Sequence, residues 1–305
     1  KSFGDAAIGA LLREGLAARE WVREGQAVAT ASRATAESPL LLVPDQRRAV
    51  DAILASLDSG VGYPPFDELR TPRSLLLLGV TASGKTEVYL QALARCLALG
   101  KRGIVLVPEI SLTPQAIDRV SARFPGRVAV LHSRLTEGQQ FEQWWGTRNG
   151  SFDIVVGPRS ALFAPLDNLG LIVVDEEHEW TYKQQEQPPL YHAREAALKL
   201  AELTGAVVVL GSATPDVESY YRALAGQHRL LELPERVPQP APDGGQKQGQ
   251  PAPSQVEVVD MRRELREGNR SIFSRALQQA LSQCIQRGEQ AILFINRRGS
   301  ATVVQ

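Results

Sequence analysis

The sequence predicts an α/β fold, a parallel sheet with helices on both faces, and two observations predict it. Short continuous apolar runs at 74–78, 103–107, 128–131, 153–156, 171–174 and 207–210 alternate with stretches whose apolar residues recur at helical spacing. The first run leads into Gly79-Val80-Thr81-Ala82-Ser83-Gly84-Lys85-Thr86, which fits G-x-x-x-x-G-K-[ST], and a helical pattern at 87–99 follows it. Strand, glycine-rich turn and helix is the setting in which this pattern binds phosphate. The glycines let backbone N–H groups wrap the anion, the lysine reaches the β/γ-phosphates, the hydroxyl of Thr86 suits Mg²⁺, and the helix N-terminus points at the charge.

The bulk numbers bound the rest. A chain of 305 residues has room for two domains, and 43% hydrophobic with 22% charged residues is ordinary for a soluble globular protein. No apolar run reaches the length of a membrane span and no secretory signal opens the chain, so a cytoplasmic protein with no membrane partner is expected. Lys+Arg and Asp+Glu balance at 34 each, so any nucleic-acid surface has to be local. Two cysteines, Cys96 and Cys284, are too few for a metal cluster and read as buried thiols. The chain starts at Lys1 and ends at Gln305 within a predicted element, which reads as a fragment of something longer.

Taken in order, residues 1–36 hold a short helical stripe (Ala6, Ile8, Leu11, Leu12) too brief for its own core. A helix is predicted over 45–57 after Pro44-Asp45, then a Gly/Pro-rich loop over 60–72. Helices are expected at 113–123, with Pro114 in the first turn, and at 136–145, 193–203 and 216–224. At least one of Trp144 and Trp145 is expected in the core. Residues 237–254 form a Pro/Gln/Gly linker with almost no large apolar residue. A second α/β unit then begins: strand 256–259, helix 274–285, strand 291–295.

Chemistry concentrates at strand ends. The run 171–174 is followed by Asp175-Glu176-Glu177-His178. A carboxylate at the C-terminal end of a buried parallel strand faces the crevice where such sheets bind ligands. Asp175 there suits Mg²⁺ beside Thr86, and Glu176 suits orienting or deprotonating the attacking water. His178 either senses a γ-phosphate or satisfies itself in the core. Gly211-Ser212-Ala213-Thr214-Pro215 follows another strand, where its hydroxyls suit a bridge between the acidic loop and another surface, although on its own the stretch reads as an ordinary strand-to-helix turn. The loop 179–191 holds Trp180, Tyr182, Lys183 and Tyr191. Bases stack on aromatic faces of this kind, although aromatics folded under their own loop would look the same. Thr113 and Arg159, near other strand ends, suit sugar-phosphate contacts. Gln46 suits an adenine edge, against the plainer reading of a solvated glutamine.

Together, GVTASGKTE, VPEISLTPQ, LHS, GPRSALF, VVDEEHEWTYKQQE, YHARE, LGSATP, DMR-x-EL-x-EGNRSIFS and LFINRRGSA resemble the superfamily 2 replication-restart DNA helicases, the primosomal replication protein N-prime (PriA) family, over about residues 40–305. The resemblance implies a P-loop NTPase (RecA-like) lobe over 37–236, a linker over 237–255 and the beginning of a second RecA-like lobe over 256–305. Residues 1–36 would be the end of a winged-helix DNA-binding domain. It implies an ATP-dependent, 3′-to-5′ helicase acting on forked or single-stranded DNA, with primosomal and single-strand-binding proteins as partners. ATP would be held by Gln46, Gly79, Thr81, Ala82, Ser83, Gly84, Lys85 and Thr86, and Mg²⁺ by Thr86 and Asp175. Lys85, Asp175 and Glu176 would be catalytic, and Trp180, Tyr182, Lys183, Arg159 and Thr113 would meet DNA. The family's structural Zn²⁺ and its cysteine ligands, expected just after Gly299, have no counterpart in this sequence, nor has the arginine finger, so a poorly active fragment is expected. Two other readings are a non-hydrolysing DNA-binding scaffold and another superfamily 2 nucleic-acid motor. Four intact residues, Lys85, Thr86, Asp175 and Glu176, weigh against the scaffold.

Overall fold

The computed structural model describes residues 38–58, 73–109, 111–185, 188–237 and 256–294. The expectations for 1–36, the loop 60–72, the linker from 238 to 255 and residues beyond 294 lie outside them. Two compact units divide between Lys247 and Gln248.

In the first unit, α1 (Pro44–Asp58) precedes β1 (Ser74–Gly79) and α2 (Lys85–Ala98). Then come β2 (Arg102–Leu106), α3 (Pro114–Arg123), β3 (Val128–Val130), α4 (Glu137–Arg148) and β4 (Ile154–Gly157). After β5 (Leu169–Asp175) follow α5 (Ala193–Thr204), β6 (Val207–Ser212), α6 (Val217–Leu224) and β7 (Arg229–Leu233). Two 3₁₀ turns, Arg159–Phe163 and Trp180–Tyr182, follow β4 and β5. The seven strands pair in the order β3-β4-β2-β5-β6-β1-β7, every pair parallel. Helix starts follow local chemistry: Thr113 caps α3 by accepting from Ala116 N–H, and Thr136 with Gln139 forms a reciprocal capping box on α4.

Alternate strand residues feed two cores, one per face. Leu75, Leu77, Val105, Ile154, Leu171, Val173 and Val209 pack with α1, α2 and α3. Leu76, Ile104, Val155, Ile172, Val174, Val208 and Leu210 pack with α5, Ala223 of α6 and Tyr182. Burial on both faces explains why these strands read as unbroken apolar runs. Between α2 and α3 lies an ion pair nearly closed to water: Arg123 Nη2 donates to Glu87 Oε2 at 2.8 Å, with both side chains buried. β7, unpredicted, is an edge strand that is exposed or half-buried except at Leu233, so it lacks the apolar run that marked the others.

The second unit has α7 (Met261–Arg266), capped by Asp260, and α8 (Arg275–Gln286), capped by Ser274. Glu264 ties them by accepting from Arg275 N–H at 2.9 Å and from Asn269 Nδ2 at 2.6 Å. Among the described residues the strands expected at 256–259 and 291–295 are not seen: 256–260 and 291–294 are irregular, with Val258 and Ile292 almost fully exposed. A β-branched run has only a preference for pairing, and the described residues of the second unit hold no strand to offer these segments a ladder. Cys96 is buried as expected, but Cys284 is only partly so, because α8 buries no residue completely.

Candidate functional site

The turn between β1 and α2 is held from several sides. Ser83 N–H donates to Val80 O at 3.0 Å, Val80 N–H to Leu233 O at 3.3 Å, and Val237 N–H to Ala82 O at 2.9 Å. Gln46 reaches in from α1, donating from Nε2 to Ser83 O at 2.8 Å while its Oε1 accepts from Val43 N–H at 3.1 Å. It is buried, a brace for the loop and not a solvated side chain. Gly84 takes φ 81°, and a Cβ there would lie 2.2 Å from Gln46 Nε2, so glycine is required twice over. Lys85 opens α2 and donates from Nζ to Gly79 O at 2.9 Å. The buried Ser83 Oγ finds no hydrogen-bond partner among the described residues. A left-handed turn at a helix N-terminus, an unpaired hydroxyl and an ammonium with donors to spare fit a polyphosphate.

At the end of β5 three successive carboxylates have three different surroundings. Asp175 Oδ1 accepts from Tyr89 Oη at 3.2 Å, and its backbone oxygen accepts from Tyr182 Oη at 2.6 Å. Burial, followed by the charge of Glu176, pushes the Asp175 carboxyl up to about 6. Burial, followed by the Asp175 charge, also holds the phenols of Tyr89 and Tyr182 well above their usual range, so both remain donors. Glu176 sits at φ 46°, and its Oε1 lies 4.0 Å from Lys85 Nζ and its Oε2 3.7 Å from His178 Nδ1. Glu177 is fully buried, accepting from Arg194 Nη1 at 3.0 Å, Ser219 Oγ at 2.8 Å and Asp216 N–H at 2.7 Å.

β6 lies between β1 and β5, so the lysine turn and the acids share one rim of the sheet. His178 Nδ1 is 2.7 Å from Ser212 Oγ, which also accepts from Thr214 N–H at 2.9 Å. The end of β6 is thus hydrogen-bonded to the acidic loop, and His178 is satisfied by a hydroxyl and not by the core.

The expected DNA-facing residues divide. Trp180 is exposed and Thr113 is exposed at its cap. Tyr182 is buried beneath its own loop, correcting the expectation that it stacks on a base: its hydroxyl is needed under Asp175. Arg159 donates from Nη1 to Thr181 O at 2.7 Å, anchoring the loop with one arm. Lys183 pairs with His192 in an isolated antiparallel bridge. Trp144 and Trp145 both remain more than a third exposed, so neither enters the core: α4 packs on β3 through Gln143, whose Oε1 accepts from Val130 N–H at 3.0 Å. Tyr89, Glu177 and Gly211 were missed. Tyr89 reads as one more apolar position of a helix, and Gly211 as part of a turn, yet a Cβ on Gly211 would lie 1.6 Å from the Tyr89 hydroxyl.

The model of the DEAD/DEAH box helicases matches residues 44–223, from α1 to α6. The chain is similar to the replication restart protein PriA of Bacillus subtilis (strain 168), 48% identical over 266 residues, covering 87% of this chain and 30% of that protein. It is 47% identical over 267 residues to PriA of Synechocystis sp., covering 86% and 29%, and 41% identical over 268 residues to PriA of Chlamydia pneumoniae, covering 88% and 33%. The chain therefore spans about a third or less of the curated relatives it matches. On the strength of a match running over more than half of its length, the chain belongs to the DEAD/DEAH box helicase family of superfamily 2, with its sequence likeness running to PriA.

Proposed function

We propose that the chain is the ATP-binding part of an ATP-dependent, 3′-to-5′ DNA helicase of replication restart, working in the cytoplasm on forked or single-stranded DNA. The observation that carries this is the approach of Lys85 Nζ to within 4.0 Å of Glu176, with Asp175 beside it at the same rim. Residues 37–236 are then the first helicase lobe, 237–255 a linker and 256–305 the beginning of the second lobe. Residues 1–36 are the end of a winged-helix-like domain. Primosomal and single-strand-binding proteins are the partners of the whole protein, as the family resemblance implies.

ATP would supply the phosphoanhydride whose hydrolysis drives the cycle, and Mg²⁺ the charge that neutralises its oxygens. The residues that would hold them are the 79–86 turn for the phosphates, Thr86 and Asp175 for the cation, and Gln46, already braced on Ser83, at the base. Lys85 swings between Gly79 O and an anion by breaking one hydrogen bond. Glu176 is placed to accept the proton of a water at Oε1 or Oε2, and His178 Nδ1, 3.7 Å from that carboxylate, orients it. The Ser212 link carries any shift of His178 to β6 and the Thr214 turn. In the intact protein, Lys85→Ala lowers ATP turnover by at least about 10²-fold while DNA affinity stays within about twofold of the parent. Turnover surviving that change would refute the assignment.

A further inference from the structure

Tyr89 lies on α2, one helical turn beyond Lys85, so the helix that opens at the phosphate turn also carries a hydroxyl to Asp175. The side chain is buried, and to reach β5 it passes over β6 at Gly211, the residue in register with Asp175. Gly211 has no left-handed φ, so its backbone does not demand glycine. Space does: a Cβ there would lie 1.6 Å from the Tyr89 hydroxyl and 2.7 Å from the ring carbon that bears it. A glycine inside a strand weakens it and marks a close approach, and what approaches here is one hydroxyl. The contact, at 3.2 Å, is longer than most hydroxyl bonds. The slot over Gly211 therefore fixes the hydroxyl as much as the bond does.

The consequence falls on the two oxygens of Asp175. Tyr89 takes Oδ1, while Oδ2 has no side-chain donor among the described residues, and Asp175 is only half-buried. Tyr182 holds the backbone oxygen of the same residue at 2.6 Å, so main chain and side chain are both pinned. A carboxylate held in this way offers a cation one oxygen in one orientation. Ca²⁺ accepts carboxylates through one oxygen or two in flexible geometry, whereas Mg²⁺ demands a near-ideal octahedron and keeps several waters. Rigid single-oxygen presentation favours the smaller ion. We propose that Tyr89 is a positioning residue that sets cation choice: through Oδ1 of Asp175 it makes the nucleotide site prefer Mg²⁺ to Ca²⁺, and Gly211 is glycine to admit it. The proposal rests on the reading that Asp175 serves the cation of a bound nucleotide, and adds the residue on which the choice of cation turns.

The test titrates a fluorescent ATP analogue into the 305-residue chain in EDTA, Mg²⁺ or Ca²⁺, well above the Asp175 value of about 6 so that this carboxyl stays ionised. The parent chain is expected to bind more tightly with Mg²⁺ than with Ca²⁺. In Tyr89→Phe that preference falls by about tenfold, the size seen when a metal ligand loses its hydrogen-bond partner, while affinity in EDTA stays within about twofold. Gly211→Ala gives the same loss with the tyrosine intact, by displacing its hydroxyl, and the double variant loses no more than either single one. Each single variant serves as the readout should the other fail to fold by circular dichroism. An unchanged Mg²⁺-to-Ca²⁺ ratio, or an equal fall of affinity in all three conditions, overturns the inference while leaving Asp175 a cation ligand, as does a parent without the preference. A parent whose nucleotide affinity ignores both cations overturns both readings.

Discussion

The two halves of the sheet's C-terminal rim are built in opposite ways. Where β1, β6 and β5 end, the charged and hydroxyl groups are mostly paired within the chain, Ser83 Oγ apart: Glu177 accepts three hydrogen bonds, Ser212 serves His178 and Thr214, and two tyrosines hold Asp175. Over the ends of β2, β4 and β3 the surface is aromatic, and the loop after β5 that lines it holds two buried polar atoms, Thr181 Oγ1 and Gln184 Oε1, with no partner among the described residues. Dense pairing places charge with little freedom, which suits a site where a fraction of an ångström decides the chemistry. Aromatic faces with a few open acceptors tolerate variety, which suits a ligand that slides past.

The largest expected effect tests the rigidity of the first half. Glu177→Ala removes a fully buried carboxylate and strands Arg194, so denaturant titration should show a loss of about 3–5 kcal/mol. A loss near zero would mean that the paired half is not held as described. A smaller effect concerns pH. With its carboxyl raised to about 6, Asp175 is neutral below that value and cannot hold a cation. The Mg²⁺-dependent part of nucleotide affinity should fall by up to about tenfold per unit as pH drops through 6, and Asp175→Asn should flatten the profile. Strand affinity at the aromatic half should not follow Asp175. The smallest effects separate two neighbours: Tyr182→Phe should lose about 1 kcal/mol of stability, whereas Trp180→Ala should stay within about 0.5 kcal/mol and weaken DNA binding instead. Equal stability losses would erase the distinction between buried support and exposed contact.

The parallel sheet was legible because strands buried on both faces leave unbroken apolar runs, and the lysine turn because glycine, lysine and hydroxyl spacing is tied to one backbone shape. That Asp175 and Glu176 fall at the end of a strand was legible from the apolar run before them. Tyr182 was misread because an aromatic in a polar loop looks the same from sequence whether it faces a base or props a carbonyl. Tyr89 and Gly211 were invisible, since their roles come from register across β5 and β6, a long-range pairing that no local pattern encodes. The segments 256–259 and 291–295 read as strands because β-branched residues signal a preference, while pairing needs a neighbour.

The ion pair between Glu87 and Arg123 joins the helix that opens at Lys85 to the helix capped by Thr113. Dissolved salt weakens interactions between solvated charges, with a Debye length of about 3 Å at 1 M, but reaches an enclosed pair poorly. Raising ionic strength should therefore strip a polyanionic strand from the rim while this strut keeps the two helices moving together. Brine would disarm the grip before the gearing.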